Sequence, residues 1–270
     1  AIRVITRLLT EGYQLVPKPG YRFSDHNRVV KKRVFKIKNT KKEKERQGAY
    51  QDLLQIADQV RGYGLEAIAA LRAYASEGAE QIIFVRNLTA DLERALGLLE
   101  RIIDQTRRRV IYGEKVPARE KVVSFFEDHT DIIEKGQREI VYGHKVFLTG
   151  GKSGLILDCR IERGNPADTD LFIPLLERQK HLYGRAPFQT AADGGFASLD
   201  NLSRAKGMGV KDVSFSRKRG LSVLEMVKSH WVYKRLKNFR AGIEANISRL
   251  KRVFGLTRCT WTDWAGFKQY

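Results

Sequence analysis

The sequence predicts an α/β (α+β) protein, a mixed five-stranded sheet flanked by helices and preceded by an all-helical N-terminal region. Three observations carry this. Apolar residues recur at helical spacing through residues 46–111. Short runs rich in β-forming residues follow one another between Val122 and Ile161. Beyond Asn165, strand-like and helix-like stretches alternate.

Taken in order, residues 1–27 are expected to be irregular, since Pro17, Pro19 and Gly20 interrupt any helix and Tyr13, Tyr21 and Phe23 are scattered among basic residues. A basic helix is predicted from Asn27 towards Lys44. Leu53, Ile56, Ala57 and Val60 then share one helical face, as do Leu65, Ile68 and Leu71 after Gly62 and Gly64. A further helix is predicted with Thr89 as its N-cap, burying Leu92, Leu96, Leu99, Ile102 and Ile103. It ends in Arg107, Arg108 and Arg109, cations suited to a helix C-terminus. This half reads as a helical hairpin or small bundle without chemistry of its own.

After Pro117 the pattern changes. Val122 to Phe126, Val141 to Leu148 and Leu155 to Ile161 are predicted strands, the last two joined by the turn-rich Thr149-Gly150-Gly151-Lys152-Ser153-Gly154. A helix from Asp168 to Leu182 should bury Leu171, Leu175, Leu176 and Leu182. A fourth strand runs from Phe188 to Ala192, a helix from Ser198 to Met208, a fifth strand from Val210 to Phe215, and a long helix from Leu236 to Phe254. Three consecutive strands followed by α/β alternation is the ribonuclease H-like layout.

Composition narrows the function. The 270 residues carry 50 Lys and Arg against 31 Asp and Glu, a formal charge of +19, while 42% of residues are hydrophobic. That apolar share builds a core and excludes a disordered polycation. No stretch is apolar for 18 residues, which excludes a spanning helix. Two cysteines, Cys159 and Cys259, exclude a disulfide framework and a Cys-based zinc site and fit a reducing, cytoplasmic setting. The opening Ala-Ile-Arg-Val lacks an initiator Met and a signal-peptide core, and reads as the cut end of a longer chain. Ten of the nineteen residues from Arg28 to Arg46 are basic, and so are nine between Lys228 and Arg258, where Glu244 is the one acid. Two such blocks point to a polyanionic partner, since each neutralised phosphate releases counterions.

The last helix carries the sharpest pattern. Leu236, Phe239, Ile243, Ile247, Leu250 and Phe254 form its predicted buried face, and Arg240, Glu244, Ser248 and Lys251 form the neighbouring stripe. Glu244 is then either an ordinary i,i+4 partner of Arg240 or a metal ligand flanked by phosphate-binding cations. Asp193 follows the fourth strand and precedes two glycines that leave room for a metal or a phosphate backbone. Glu127, Asp128 and Asp131 follow the first predicted strand, and one of them should face the same edge. Three carboxylates from separate elements suit Mg²⁺ or Mn²⁺. Two such ions would support in-line phosphoryl transfer on DNA.

Five stretches carry a resemblance: Phe126-Glu127-Asp128-His129-Thr130-Asp131-Ile132-Ile133, Gly143-His144-Lys145-Val146-Phe147-Leu148, Gly164-Asn165-Pro166-Ala167-Asp168, Ala192-Asp193-Gly194-Gly195-Phe196, and Asn238-Phe239-Arg240-Ala241-Gly242-Ile243-Glu244 through Leu250-Lys251-Arg252. In these the chain resembles insertion-sequence DDE transposases of the ISNCY type, most strongly over residues 118–264. In related transposases the last acid sits in a signature of Tyr, two residues, Arg, three residues, Glu, six residues, Lys. Arg240, Glu244 and Lys251 keep that spacing, and Lys237 stands at the Tyr position. The resemblance implies a catalytic, metal-binding triad of Asp131, Asp193 and Glu244, with Asp131 taken because the His-Thr-Asp-Ile-Ile string is what matches. It also implies Mg²⁺- or Mn²⁺-dependent DNA cleavage at transposon ends and strand transfer, a homo-oligomer on DNA, and a bacterial, nucleoid-associated setting.

The organisation expected is a basic DNA-binding segment at 1–45, the end of a truncated helix-turn-helix region; a helical hairpin or bundle at 46–115; a ribonuclease H-like DDE catalytic domain at 116–256; and a truncated tail at 257–270. Arg28, Lys31, Lys32, Arg33, Arg217, Lys218, Arg219, Arg240 and Lys251 are the expected DNA contacts. Terminal-repeat and target double-stranded DNA are the expected partners, and no membrane is. His129 and His144 are read as structural or DNA-contacting, Trp231, Trp261 and Trp264 as packing anchors. Gly150-Gly151-Lys152-Ser153 lacks the phosphate-loop spacing and joins two strands, so ATP binding is rejected. The alternatives are a catalytically inactive DNA-binding remnant and a ribonuclease H-like nuclease that does not join strands.

Overall fold

A computed structural model describes residues 1–16, 18–75, 78–135, 139–217 and 219–270. The chain forms two compact units, Ala1–Thr130 and Asp131–Tyr270. The first is helical and the second mixes helices with short strands, so the chain is α+β.

In the first unit, α1 (Ile2–Leu15), α2 (Asn27–Asn39), α3 (Glu43–Ala73) and α4 (Ala79–Thr106) surround one apolar core. Helix α1 corrects the expectation of an irregular start. Ile5, Leu8 and Leu9 lie on one buried face, and the first proline comes only after the helix has ended. Helices α3 and α4 pack closely because α3 carries Gly64, where a Cβ would meet Leu96 at 2.7 Å. Tyr21 closes the α1 end, donating its hydroxyl to the Leu9 carbonyl at 2.8 Å, and burial together with Tyr13 pushes its pKa up to about 12. Thr89 is mid-helix rather than an N-cap, and its hydroxyl donates to the Val85 carbonyl. Helix α4 runs into a π turn at Arg107–Ile111, where Arg107 pairs with Asp58.

Val122 to Phe126 do not form a strand. The Gln105 side chain takes both ladder groups of Val122, accepting from its N–H at 2.8 Å and donating to its carbonyl at 3.2 Å, and Phe125 packs on the helical core. Local β-propensity loses here to side-chain capture of the backbone.

In the second unit the strands begin later than predicted. β1 (Asp131–Lys135) pairs antiparallel with β2 (Glu139–Gly143), β3 (Lys145–Gly150) antiparallel with β4 (Ile156–Glu162), and β5 (Gln189–Ala192) parallel with β6 (Asp212–Phe215). The single strand predicted from Val141 to Leu148 breaks at Gly143, whose φ of 152° turns the chain so that β2 and β3 take different partners. Among the described residues the sheet is therefore three two-stranded pairs and not one five-stranded ladder. The β3–β4 hairpin meets the β5–β6 half through side chains: Phe147 lies edge-on to Phe196, and Lys145 reaches Asp168.

Strand β6 is wholly buried, enclosed with α5 (Asp168–Tyr183), α6 (Leu199–Gly207), α7 (Val223–Met226) and α8 (His230–Val253) in a core centred on Phe172, Val213, Phe215 and Met226. Leu171, Leu175 and Leu176 are buried as predicted, whereas Leu182 is exposed in the last turn. Helix α8 starts earlier than expected, capped by Ser229, and its buried face is Val232 and Leu236; Phe239 and Phe254 are exposed. A last helix, α9 (Asp263–Gln269), follows.

Candidate functional site

The strongest convergence of charge in the second unit lies where β5 ends. Ser216 N–H donates to the Ala192 carbonyl, and Gly194 N–H donates to Ser216 Oγ at 2.7 Å, so the paired ends of β5 and β6 fix the start of the loop that follows. Asp193 precedes the 3₁₀ turn Gly194–Phe196 and is exposed. The two glycines are not open space. A Cβ at Gly194 would lie 2.6 Å from the Arg217 Cβ, and one at Gly195 would lie 2.4 Å from Asp168 Oδ2. The room predicted for a metal or a phosphate is taken by the protein's own side chains.

Helix α8 packs on β3, β5 and β6, and the Tyr233 hydroxyl anchors it to the Phe215 carbonyl. This brings Arg240 to the loop. Its Nη1 donates to Asp193 Oδ1 at 2.7 Å and to Glu244 Oε1 at 2.7 Å. Those two carboxylate oxygens, 51 residues apart in sequence, therefore lie no more than twice that distance from one another. The Arg240 side chain is only 18% exposed, while Asp193 and Glu244 are 64% and 58% exposed. The guanidinium is thus the covered member and the carboxylates face solvent.

Asp131 opens β1. Its Oδ2 accepts from His144 Nδ1 at 2.9 Å and from Gly164 N–H at 2.8 Å. Gly164 and Asn165 both adopt positive φ, and the Asn165 amide donates to the Ile132 carbonyl at 3.3 Å, clamping the loop onto β1. His144 is almost fully buried between Trp264 and Phe267 of α9, at 4.8 and 4.9 Å between ring centroids. Arg163 lies 4.0 Å above the Trp264 ring. Among the described residues no three His, Cys, Asp or Glu side chains are close enough to hold one ion. Glu127 lies in the first unit, 2.9 Å from His129, and Asp128 beside it is exposed.

The family model for the transposase DDE domain matches residues 102–270 of this chain. The chain belongs to the transposase DDE domain family. No curated protein and no solved structure matches it. Membership carries a transposase function and DNA as the partner, and domains of this family generally use divalent metal ions. No helix among the described residues is long and apolar enough to cross a membrane.

The donor set in this DDE domain fits such an ion in kind. Asp193 and Glu244 offer hard carboxylate oxygens, close together and open to solvent, of the type Mg²⁺ and Mn²⁺ prefer. Of the expected DNA contacts, Arg28, Lys31 and Lys32 are exposed on α2, whereas Arg33 is paired with Asp52 of α3 at 3.0 Å. Arg217, Arg219 and Lys251 are exposed, and Lys218 lies outside the described residues. Arg240 is held between the two acids.

Sequence reasoning overlooked Lys145 and Asp168. Lys145 Nζ donates to Asp168 Oδ1 at 3.0 Å and to the Pro166 carbonyl at 2.8 Å, and Asp168 Oδ2 presses on Gly195. The signal available was the pair of glycines itself, since adjacent glycines imply two close neighbours as readily as free space.

Proposed function

We propose that this chain is a DNA transposase that cleaves DNA at insertion-sequence ends and joins it to target DNA by metal-dependent in-line phosphoryl transfer. Asp131, Asp193 and Glu244 are the proposed catalytic acids and metal ligands in a ribonuclease H-like domain spanning residues 116–256. The observation that carries the reading is the convergence of Asp193 and Glu244 on the single Nη1 of Arg240. Local i,i+4 pairing explains Arg240 with Glu244, but not why a strand-end aspartate from 47 residues upstream joins them.

In this reading Asp193 and Glu244 hold Mg²⁺ or Mn²⁺, and Asp131, oriented by His144 and the Gly164 N–H, is the third proposed ligand, to be drawn to the other two as the ion binds. The chemistry that Mg²⁺ or Mn²⁺ held by these acids would supply is activation of a water or a DNA 3′-hydroxyl and stabilisation of the leaving oxygen. Arg217, Arg219 and Lys251 bind phosphates and hold the scissile strand in line, and Lys218, outside the described residues, belongs to the same proposed set of DNA contacts. Arg28, Lys31, Lys32 and Arg33 in the 1–45 segment bind the DNA backbone, residues 46–115 act as a helical spacer, and the protein works as an oligomer on paired DNA ends.

The test is a nicking and strand-transfer assay on duplex DNA carrying the element's terminal repeats. The unaltered protein should nick and join in Mg²⁺ or Mn²⁺. Asp193→Ala and Glu244→Ala should each lower the rate by roughly a thousand-fold, equivalent to several kcal/mol of lost transition-state stabilisation. Unchanged cleavage in both variants rejects the assignment, and cleavage without joined product favours a nuclease.

A further inference from the structure

Resting on that reading of the Asp193–Glu244 edge, we infer that Arg240 is a built-in counter-cation, which a divalent ion has to displace before the two carboxylates can bind it. A divalent ion held by Asp193 and Glu244 would draw on the same two carboxylates that the Arg240 guanidinium already engages. Arg240 Nη1 already lies 2.7 Å from both. An ion on the same side of the two oxygens overlaps the guanidinium. One on the opposite side sets two cations within a few ångströms, where their repulsion cancels much of the carboxylates' attraction. Binding at these two oxygens therefore competes with the guanidinium, which has to move off them.

Arg240 is held but not fully satisfied. Its Nε is buried and has no partner among the described residues. A buried donor without an acceptor favours any rearrangement that supplies one. A phosphate group offers two oxygens in the geometry of the guanidinium fork, so a DNA backbone drawn to this edge would help draw Arg240 off the acids. Arg240 in this account determines when the edge accepts an ion, and ion binding follows DNA approach.

The experiment titrates Mn²⁺ into the DNA-free full chain and follows the free-ion electron paramagnetic resonance signal. It compares the unaltered protein, Arg240→Gln, Arg240→Ala, Arg240→Lys and Asp193→Asn, with circular dichroism establishing that each is folded. Arg240→Gln and Arg240→Ala should bind Mn²⁺ about tenfold more tightly, Arg240→Lys should stay close to the unaltered protein, and Asp193→Asn should remove the binding. Equal or weaker binding in Arg240→Gln and Arg240→Ala, still abolished by Asp193→Asn, overturns the displacement and leaves the cation edge standing. Mn²⁺ binding that Asp193→Asn does not change overturns the edge itself, and the displacement with it.

Discussion

Asp131 and His144 are joined by a 2.9 Å hydrogen bond, and the imidazole that makes it is 1% exposed beneath Trp264 and Phe267 of the last helix. A carboxylate held by a buried ring inherits the rigidity of whatever packs on that ring. Helix α9 thus acts at a distance on the first proposed acid.

His144→Ala removes the hydrogen bond and opens a space beneath two aromatic rings. It should destabilise the second unit by about 2–4 kcal/mol. Trp264→Ala, which leaves the His144–Asp131 pair in place but strips its cover and the Arg163 stack, should cost about as much. Urea unfolding of each variant measures this, and a loss below about 0.5 kcal/mol in both would show that α9 is not structurally coupled to β1.

Gly195 and Gly207 provide a paired comparison. A methyl at Gly195 would meet Asp168 Oδ2 at 2.4 Å, whereas nothing lies within 4 Å of one at Gly207. Gly195→Ala should cost about 1–3 kcal/mol by overpacking and shift the Asp193 loop, reducing DNA cleavage. Gly207→Ala, in a helix, should be neutral or stabilise by up to about 1 kcal/mol. Thermal unfolding and the nicking assay on the two variants check the contrast.

Asp212 is the buried carboxylate of β6, 1% exposed. Burial by itself would raise its pKa, but hydrogen bonds from the Gln189 amide at 2.7 Å and the Lys228 N–H at 2.9 Å outweigh it, and the net shift is below the usual 3.8. A depressed folded-state pKa adds stability above the unfolded value and loses it as pH falls through the folded one. Asp212→Ala should therefore cost about 2–4 kcal/mol at pH 7, and the gap to the unaltered protein should narrow below about pH 4. Denaturant unfolding at pH 7 and in the acid range measures both, and a gap independent of pH would refute the assignment.

On α2, the exposed Lys31 and Lys32 contrast with Arg33, tied to Asp52. If the first two contact phosphates, Lys31→Ala with Lys32→Ala should reduce the slope of log binding constant against log salt concentration by about 2. Arg33→Ala should change it less, since that cation is already partly neutralised within the protein. Fluorescence-anisotropy titrations of duplex DNA across salt concentrations distinguish the two outcomes.

Much of the helical half was legible in the chain because its signals are local. Ala57, Val60, Ile68 and Leu71 on α3, and Leu92, Leu96 and Leu99 on α4, are buried as their spacing predicts, whereas Leu54 replaces Leu53 in the α3 core and Leu65 is exposed. The failures were local signals overruled from a distance. Val122 has strand character, yet Gln105 occupies its backbone. Thr89 has cap character, yet it sits within a helix that begins ten residues earlier.

At the candidate site the same division holds. Sequence alone determined that Arg240, Glu244 and Lys251 share a helix stripe and that Asp193 follows a strand, because helical period and strand termination depend on neighbours a few residues away. Tertiary structure alone decided that Arg240 holds Asp193 as well as Glu244, that Asp168 and Arg217 fill the space beside the two glycines, and that His144 is clasped by α9. Those contacts join residues tens of positions apart. Their formation is set by how whole elements pack, and no short window of the chain contains that information.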